Sequence, residues 1–372
     1  MTLRSSDVEQ GDVIQIVGNL GRDAQRFADK TVLLAGGSGF LGRHFISVFR
    51  HLNKAVLDRP CTVISADNFI TSQQAVTNVS ADQDPNIIEI FADVAFPLPV
   101  HQEVNFIIHA AGVASPTFYM KYPLETIESA VQGTKNLLEF ARKNHNLEGF
   151  LFFSSSEIYG DPDLRAIPTP ETYHGYVSSV GPRACYDESK RLGETISTIY
   201  HQYYKVPATI VRPFNVFGPG MRHDDGRAIP MFTFEALNGR AIPVHGDGRQ
   251  TRTFCYITDA IAGFLRVLLR GKPGEAYNIG NSENEIAVAD LARLYGSVVP
   301  GSTFQLISYP SNYPPGEPQR RCPDLTKAAR DLGFASQIDL REGLMRFVAW
   351  AREQESYRDK PRAQTNKQRS PC

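Results

Sequence analysis

The chain has 372 residues, 42% of them hydrophobic, with 39 basic against 40 acidic side chains for a net charge of -1. That length supports one large domain or two ordinary ones with a sizeable core, and the balanced charge gives no overall field to attract nucleic acid or an anionic membrane. No run approaches the roughly 20 apolar residues of a membrane span, Met1–Gln10 lacks the apolar core of a signal peptide, and the five scattered cysteines form neither C-x-x-C nor a Cys/His cluster, so a soluble cytoplasmic protein with neither disulfides nor a metal site is expected.

Residues 1–30 carry no pattern beyond a short helix near Asp23–Lys30. Strand-like runs follow at Thr31–Ala35, Thr62–Ala66, Ile87–Phe91, Val104–His109, Phe150–Ser154 and Ala208–Val211, with helical stretches between them. That alternation predicts an α/β fold, a doubly wound parallel sheet with helices on both faces. In the first intervening helix Leu41, Phe45, Val48, Phe49 and Leu52 form one apolar stripe that belongs to the core. After Asn215 glycine and proline become frequent and the elements shorten. A first domain over 31–215 is therefore expected, then a smaller one over 216–352, with 255–271 returning to the first. Residues 353–372 are polar and are expected to be a disordered tail.

The stretch Thr31–Gly42, TVLLAGGSGFLG, runs a strand into Gly36, Gly37, Gly39 and Gly42 and then into a helix. Such glycines permit a tight turn and let backbone N–H groups approach a pyrophosphate at the helix N-terminus, where the helix dipole favours negative charge. The second strand ends at Asp67, about 25 residues beyond Gly42, where a dinucleotide fingerprint places an acid on the adenosine ribose hydroxyls. An acid there repels the extra phosphate of NADP, which points to NAD; a capping role for Asp67 competes with this reading. Asp93, after the third strand, is placed either for the adenine end or for a turn.

Tyr186 is followed four residues later by Lys190, in a segment, Ala184–Tyr204, with helical periodicity. A spacing of four puts both on one helix face, where an ammonium favours the phenolate, so Tyr186 is expected to act as a base at neutral pH. The fifth strand, FLFFSSSEIYG, delivers Ser154, Ser155, Ser156 and Glu157 at its carboxyl end, the side of an open parallel sheet where ligands bind.

With loop, acid, serine cluster and Tyr-x-x-x-Lys in this order, residues 31 to 345 resemble the extended short-chain dehydrogenase/reductase family of nucleotide-sugar enzymes. SSSEIYGDP at 154–162, GPRACYDESKR at 181–191 and NVFGPGMRHDDGRAIP at 215–230 look most like UDP-glucuronate decarboxylases, as do GDGRQTRTFCYITD at 246–259 and QRRCPDL at 319–325. The resemblance implies a Rossmann-type sheet with a smaller C-terminal substrate-binding domain. It implies NAD held by Gly36, Gly39, Phe40, Leu41, Gly42, Asp67, Asn68, Asp93, Val94 and Ala111 together with Tyr186 and Lys190. It also implies Ser155 and Ser156 at the sugar C4 oxygen, Glu157 and Arg321 at the carboxylate and C5, Tyr119 on the sugar, and Asn215, Arg227 and Arg252 on the UDP. The helix of Tyr186 and the one near Thr126–Lys143 resemble those that pair in homodimers of this family. Ala130, Gly220, Cys322 and the HAAGVAS stretch at 109–115 depart from the decarboxylase pattern, so a related nucleotide sugar stays open. A 4,6-dehydratase is disfavoured because Ser156 occupies the position of its general acid, a 4-epimerase because it has no use for Glu157 and Arg321, and a catalytically silent NAD-binding regulator because Tyr186, Lys190 and Glu157 are all present.

Overall fold

A computed structural model describes residues 4–71, 84–283, 285–309 and 318–359. Helix α1 (Ser5–Leu20) and a 3-10 segment (Gly21–Phe27) lead into β1 (Thr31–Ala35), α2 (Phe40–Ala55), β2 (Thr62–Asp67), β3 (Ile87–Phe91) and β4 (Phe106–His109). Then come α3 (Pro116–Lys121), α4 (Pro123–Arg142), β5 (Gly149–Phe153), α5 (Ala184–Tyr204), β6 (Ala208–Pro213) and β7 (Val216–Phe217). The remainder holds α6 (Ala228–Leu237), β8 (Ile242–His245), β9 (Thr251–Arg252), β10 (Cys255–Tyr256), α7 (Ile257–Arg270), β11 (Ala276–Ile279), β12 (Ile286–Ala287), α8 (Val288–Val298), β13 (Phe304–Ile307), β14 (Arg320–Arg321), α9 (Thr326–Leu332) and α10 (Leu340–Glu353).

Seven strands form one sheet in the order β11-β6-β5-β4-β1-β2-β3, and every neighbouring pair is parallel. This is the Rossmann-type α/β architecture. The strands β1, β4 and β5 are near-continuous apolar runs because helices cover both faces of the sheet. The strand order reverses between β1 and β4, and in such sheets the crevice outside the carboxyl ends at that reversal takes the ligand. The smaller sheets β12-β9-β14, β13-β8 and β10-β7 all lie in residues after 215. Helix α7, which follows Cys255, packs back on β5, β6 and β11.

Three differences from the sequence reading have physical causes. The return brings a seventh strand, β11, whose four residues AYNI are too short and too polar to stand out. The amino-terminal segment forms the 16-residue α1 ahead of the 3-10 turn Gly21–Phe27, which overlaps the short helix expected near 23–30; α1 packs against α2, α7 and α10. Its signal is masked because a core position is acidic: Asp12 is buried, accepting from the Tyr256 hydroxyl at 2.7 Å and from Arg346 at 2.9 Å. Finally, part of the segment expected as a tail is structured, with a 3-10 turn at Glu355–Tyr357. Tyr357 is buried and donates to the Met221 carbonyl at 3.0 Å, which fixes the chain beyond α10. Residues 360–372 of the expected tail lie outside the described residues.

Candidate active site

At Gly36 and Gly42 the glycine loop leaves no room for a side chain. Gly36 has φ of 91°, and a Cβ there would lie 2.6 Å from the Ala111 backbone nitrogen; a Cβ at Gly42 would lie 2.1 Å from the Gly36 carbonyl oxygen. Gly39 precedes Phe40, Leu41 and Gly42, the first turn of α2, whose N–H groups have no intrahelical acceptor. Asp67 Oδ2 accepts from the Ser38 N–H at 2.9 Å and Oδ1 from the Phe69 N–H at 2.8 Å, so it ties the second strand to the loop. Asp93 accepts from the Asn68 amide at 2.9 Å, and Val94 packs against α4 at Gly133. The ten residues expected at the dinucleotide thus gather at the carboxyl ends of β1 to β4. The cradle that a Cβ would fill fits a pyrophosphate.

Tyr186 and Lys190 lie one turn apart on α5, both buried. Lys190 Nζ donates to the Phe153 carbonyl at the end of β5, at 2.7 Å, and sits 5.8 Å from the Tyr186 ring centroid. Burial lowers its ammonium to about 8. Burial also pushes the Tyr186 phenol up to about 12, against the hydrogen bond from Ser155 and the charge of Arg227. The phenol is therefore raised rather than lowered, because desolvation outweighs the favourable contacts around it. Tyr119 stacks on Tyr186, with centroids 5.3 Å apart and an interplanar angle of 15°.

The serines and Glu157 emerge where β5 ends. Ser155 caps the 3-10 turn Ser156–Tyr159 by accepting from the Glu157 N–H, while Ser154 Oγ is buried with no hydrogen-bond partner. Arg321, buried on β14, grips both oxygens of Glu157, one contact at 2.9 Å, and Arg183 binds the same carboxylate. Burial alone would raise this carboxyl; the two guanidinium groups bring it down to about 2. Arg252 is the register partner of Arg321 across β9 and β14. Asn215, at φ of 37°, donates to the Thr253 carbonyl at 2.9 Å. Arg227 is held by Asp225 at 2.8 Å, with its guanidinium 5.8 Å from the Phe40 ring, between the glycine loop and Tyr186.

Sequence reasoning missed two members of this cluster, Arg183 and Asp187. The signal was present: 183, 187 and 190 fall at i, i+4 and i+7, one face of α5. Arg183 Nε lies 3.6 Å from Asp187 Oδ2. Burial and then the negative Glu157 push Asp187 up to about 7. Of the departures noted above, Gly220 stands at φ of 89°, which disfavours any side chain, and Ala130 and Cys322 are buried.

Comparison with known proteins agrees with this geometry. The profile of the NAD dependent epimerase/dehydratase family matches residues 32–280. Among curated relatives, UDP-glucuronic acid decarboxylase 5 of Arabidopsis thaliana is 37% identical over 314 residues, covering 84% of this chain and 86% of the relative. UDP-glucuronic acid decarboxylase 1 of Xenopus tropicalis is 36% identical over 327 residues, covering 87% and 73%. Among solved structures, a dTDP-glucose 4,6-dehydratase from Streptomyces venezuelae, with NAD bound, superposes with a TM-score of 0.73 at 25% identity, covering 87% of this chain and 97% of that one. A UDP-glucose 4-epimerase from Thermotoga maritima shares the fold with a TM-score of 0.72 at 24% identity, covering 87% and 98%. A Rossmann-type sheet with a glycine cradle and a Tyr/Lys helix, matched by this profile over two thirds of its length, places the chain in the NAD dependent epimerase/dehydratase family, with UDP-glucuronic acid decarboxylases among its relatives.

Proposed function

We propose that this protein decarboxylates UDP-glucuronate with NAD as its cofactor and yields UDP-xylose. The observation that carries the reading is the Glu157–Arg321–Arg183 cluster at the end of β5, beside Tyr186, with Arg321 buried and the other two half-buried. Cations fixed at that place suit a sugar with a carboxylate at C6, and the names of the curated relatives support the same substrate.

When bound, NAD supplies a hydride acceptor for the sugar C4 that can also hand the hydride back. The glycine cradle and Asp67 would hold it, and Asp67, with no basic residue at Asn68 or Phe69, favours NAD over NADP. Tyr186 exchanges a proton with the C4 oxygen, and Ser155 and Lys190 keep it oriented. A ketone at C4 makes the C6 carboxylate a β-keto acid, which loses carbon dioxide readily. Ser155, Ser156 and Tyr186 then stabilise the enolate oxygen, and Glu157 and Arg321 act at the carboxylate and C5. Asn215, Arg227 and Arg252 hold the UDP, and Tyr119 the sugar. A hydride that is not returned would leave a UDP-4-keto-pentose.

The experiment is incubation with UDP-glucuronate and NAD, with products identified by mass. Loss of carbon dioxide is expected; loss of water, or an isomer of unchanged mass, would instead assign a dehydratase or an epimerase.

The same reading includes a homodimer paired through α4 and α5. Its support is the apolar surface these helices leave exposed, including Leu124 and Ile127 on α4 and Leu192, Ile199 and Tyr203 on α5. Free thiols at Cys61, Cys185, Cys255 and Cys322 support a reducing compartment such as the cytoplasm, and no helix among the described residues is long and apolar enough to cross a membrane.

A further inference from the structure

The cluster around Glu157 contains a second carboxyl that the proposed chemistry does not use. Asp187 is 7% exposed, and its Oδ1 has no hydrogen-bond partner. Its other oxygen faces Arg183 Nε at 3.6 Å, while Arg183 binds Glu157 through a different nitrogen. Arg321 spends two donors on Glu157, and its Nε is left buried without a partner, as is the Tyr119 hydroxyl. The charged and titratable groups that face Asp187 are Glu157 from the 3-10 turn after β5, Arg321 from β14, Tyr119 from α3, and Arg183, Tyr186 and Cys185 from its own segment.

The charge balance is therefore tight. With both carboxyls ionised, Glu157 and Asp187 neutralise Arg183 and Arg321, and the further guanidinium that acts on Glu157, Arg252, is the one assigned above to the UDP. We propose that Asp187 is a proton-linked charge gate: in its neutral form it leaves the arginine pair net positive toward the sugar carboxylate, and binding of a carboxylated sugar draws a proton onto it. This rests on the reading of UDP-glucuronate as substrate. Asp187 acts through Arg183 and is a positioning residue. Its burial and the negative Glu157 hold it at about 7, so both forms are populated at neutral pH. A third carboxylate brought into the cluster raises it further, by the like-charge effect that already separates it from Glu157. Glu157, at about 2, cannot take up that proton.

The test is calorimetric titration of the protein loaded with NADH, in which oxidation at C4 cannot begin, using UDP-glucuronate and UDP-glucose at pH 7.5 in buffers of different ionisation enthalpy. UDP-glucuronate should bind with uptake of about half a proton and UDP-glucose with essentially none. Across pH 6.5 to 8.5 the affinity for UDP-glucuronate should fall several-fold. In Asp187→Asn the uptake and the pH dependence should both disappear, with UDP-glucose binding showing that the site is folded. The two-sugar comparison on the unmodified protein stands even if the variant does not fold. Equal uptake with both sugars, no uptake with UDP-glucuronate, or unchanged uptake in Asp187→Asn overturns the proposal while leaving the substrate intact. If UDP-glucose binds and UDP-glucuronate does not, the substrate reading itself falls and takes the gate with it.

Discussion

Replacing Arg321 by alanine separates oxidation of the sugar from loss of its carboxyl group. Arg321 is 5% exposed, and its guanidinium holds both oxygens of Glu157. Removing it leaves Glu157 half-buried with Arg183 and takes away the largest of the charges that hold it at about 2, so the carboxyl rises toward its ordinary range. Breaking one side of a buried ion pair costs about 3 to 5 kcal/mol when the other charge is left unpaired; Arg183 still binds the half-buried Glu157, so a smaller loss of stability and a lower Tm are expected, and activity is read well below it. The chemical effect is separate. A preorganised charge acting at the departing carboxylate and C5 in the transition state is worth about 2.7 to 4 kcal/mol, which is about 100- to 1000-fold in rate. Tyr186, Lys190 and Ser155 make none of their observed hydrogen bonds to Arg321. Nicotinamide absorbance should therefore still rise in a single turnover, while release of carbon dioxide from carboxyl-labelled UDP-glucuronate slows at least about 100-fold. Tyr186→Phe provides the contrast, with neither signal appearing. Carbon dioxide released by Arg321→Ala at the wild-type rate would refute the role given to this residue, and loss of both signals together would mean that Arg321 serves the oxidation as well.

Three further outcomes are expected. Asp67, tied to the loop through Ser38 and followed by Asn68 and Phe69, offers nothing to neutralise a 2′-phosphate, so NAD should bind at least about tenfold more tightly than NADP, or about 1.4 kcal/mol, in a fluorescence titration. Asp12 is held at about 6 by burial, above its ordinary value of 3.8, so the unfolded chain gives up this proton first. Stability from this group is full below about pH 4 and is lost as pH rises to about 6, on the order of 3 kcal/mol; Asp12→Asn should remove that slope from Tm measured against pH. Ile199→Glu, on the exposed face of α5, should turn a homodimer into a monomer at micromolar concentration by light scattering, and a monomeric wild type would contradict the pairing.

What was readable in the sequence was whatever one element carries by itself. The six strands, the glycine cradle and the Tyr186/Lys190 face each rest on local periodicity or on a backbone demand such as that of Gly36, and neighbours in sequence are enough to express them. Features made by elements far apart in the chain were hidden. The four residues of β11 become a strand only because α7 returns them to the edge of β6, and α1 disguises its core face with Asp12, whose partners Tyr256 and Arg346 lie more than 240 residues away. The site divides the same way. Glu157 and Arg321 were named as a functional pair, yet their grip on one another needs β14 to lie beside β9, a contact that no local pattern predicts. The acidity of the groups followed neither spacing nor type. Tyr186 has its lysine at the right interval and still sits at about 12, whereas Glu157, half-buried in the same crevice, sits at about 2. Two guanidinium groups reach one residue, whereas desolvation prevails at the other. In a desolvated crevice the direction of each hydrogen bond decides the titration, and that direction is a property of the assembled fold.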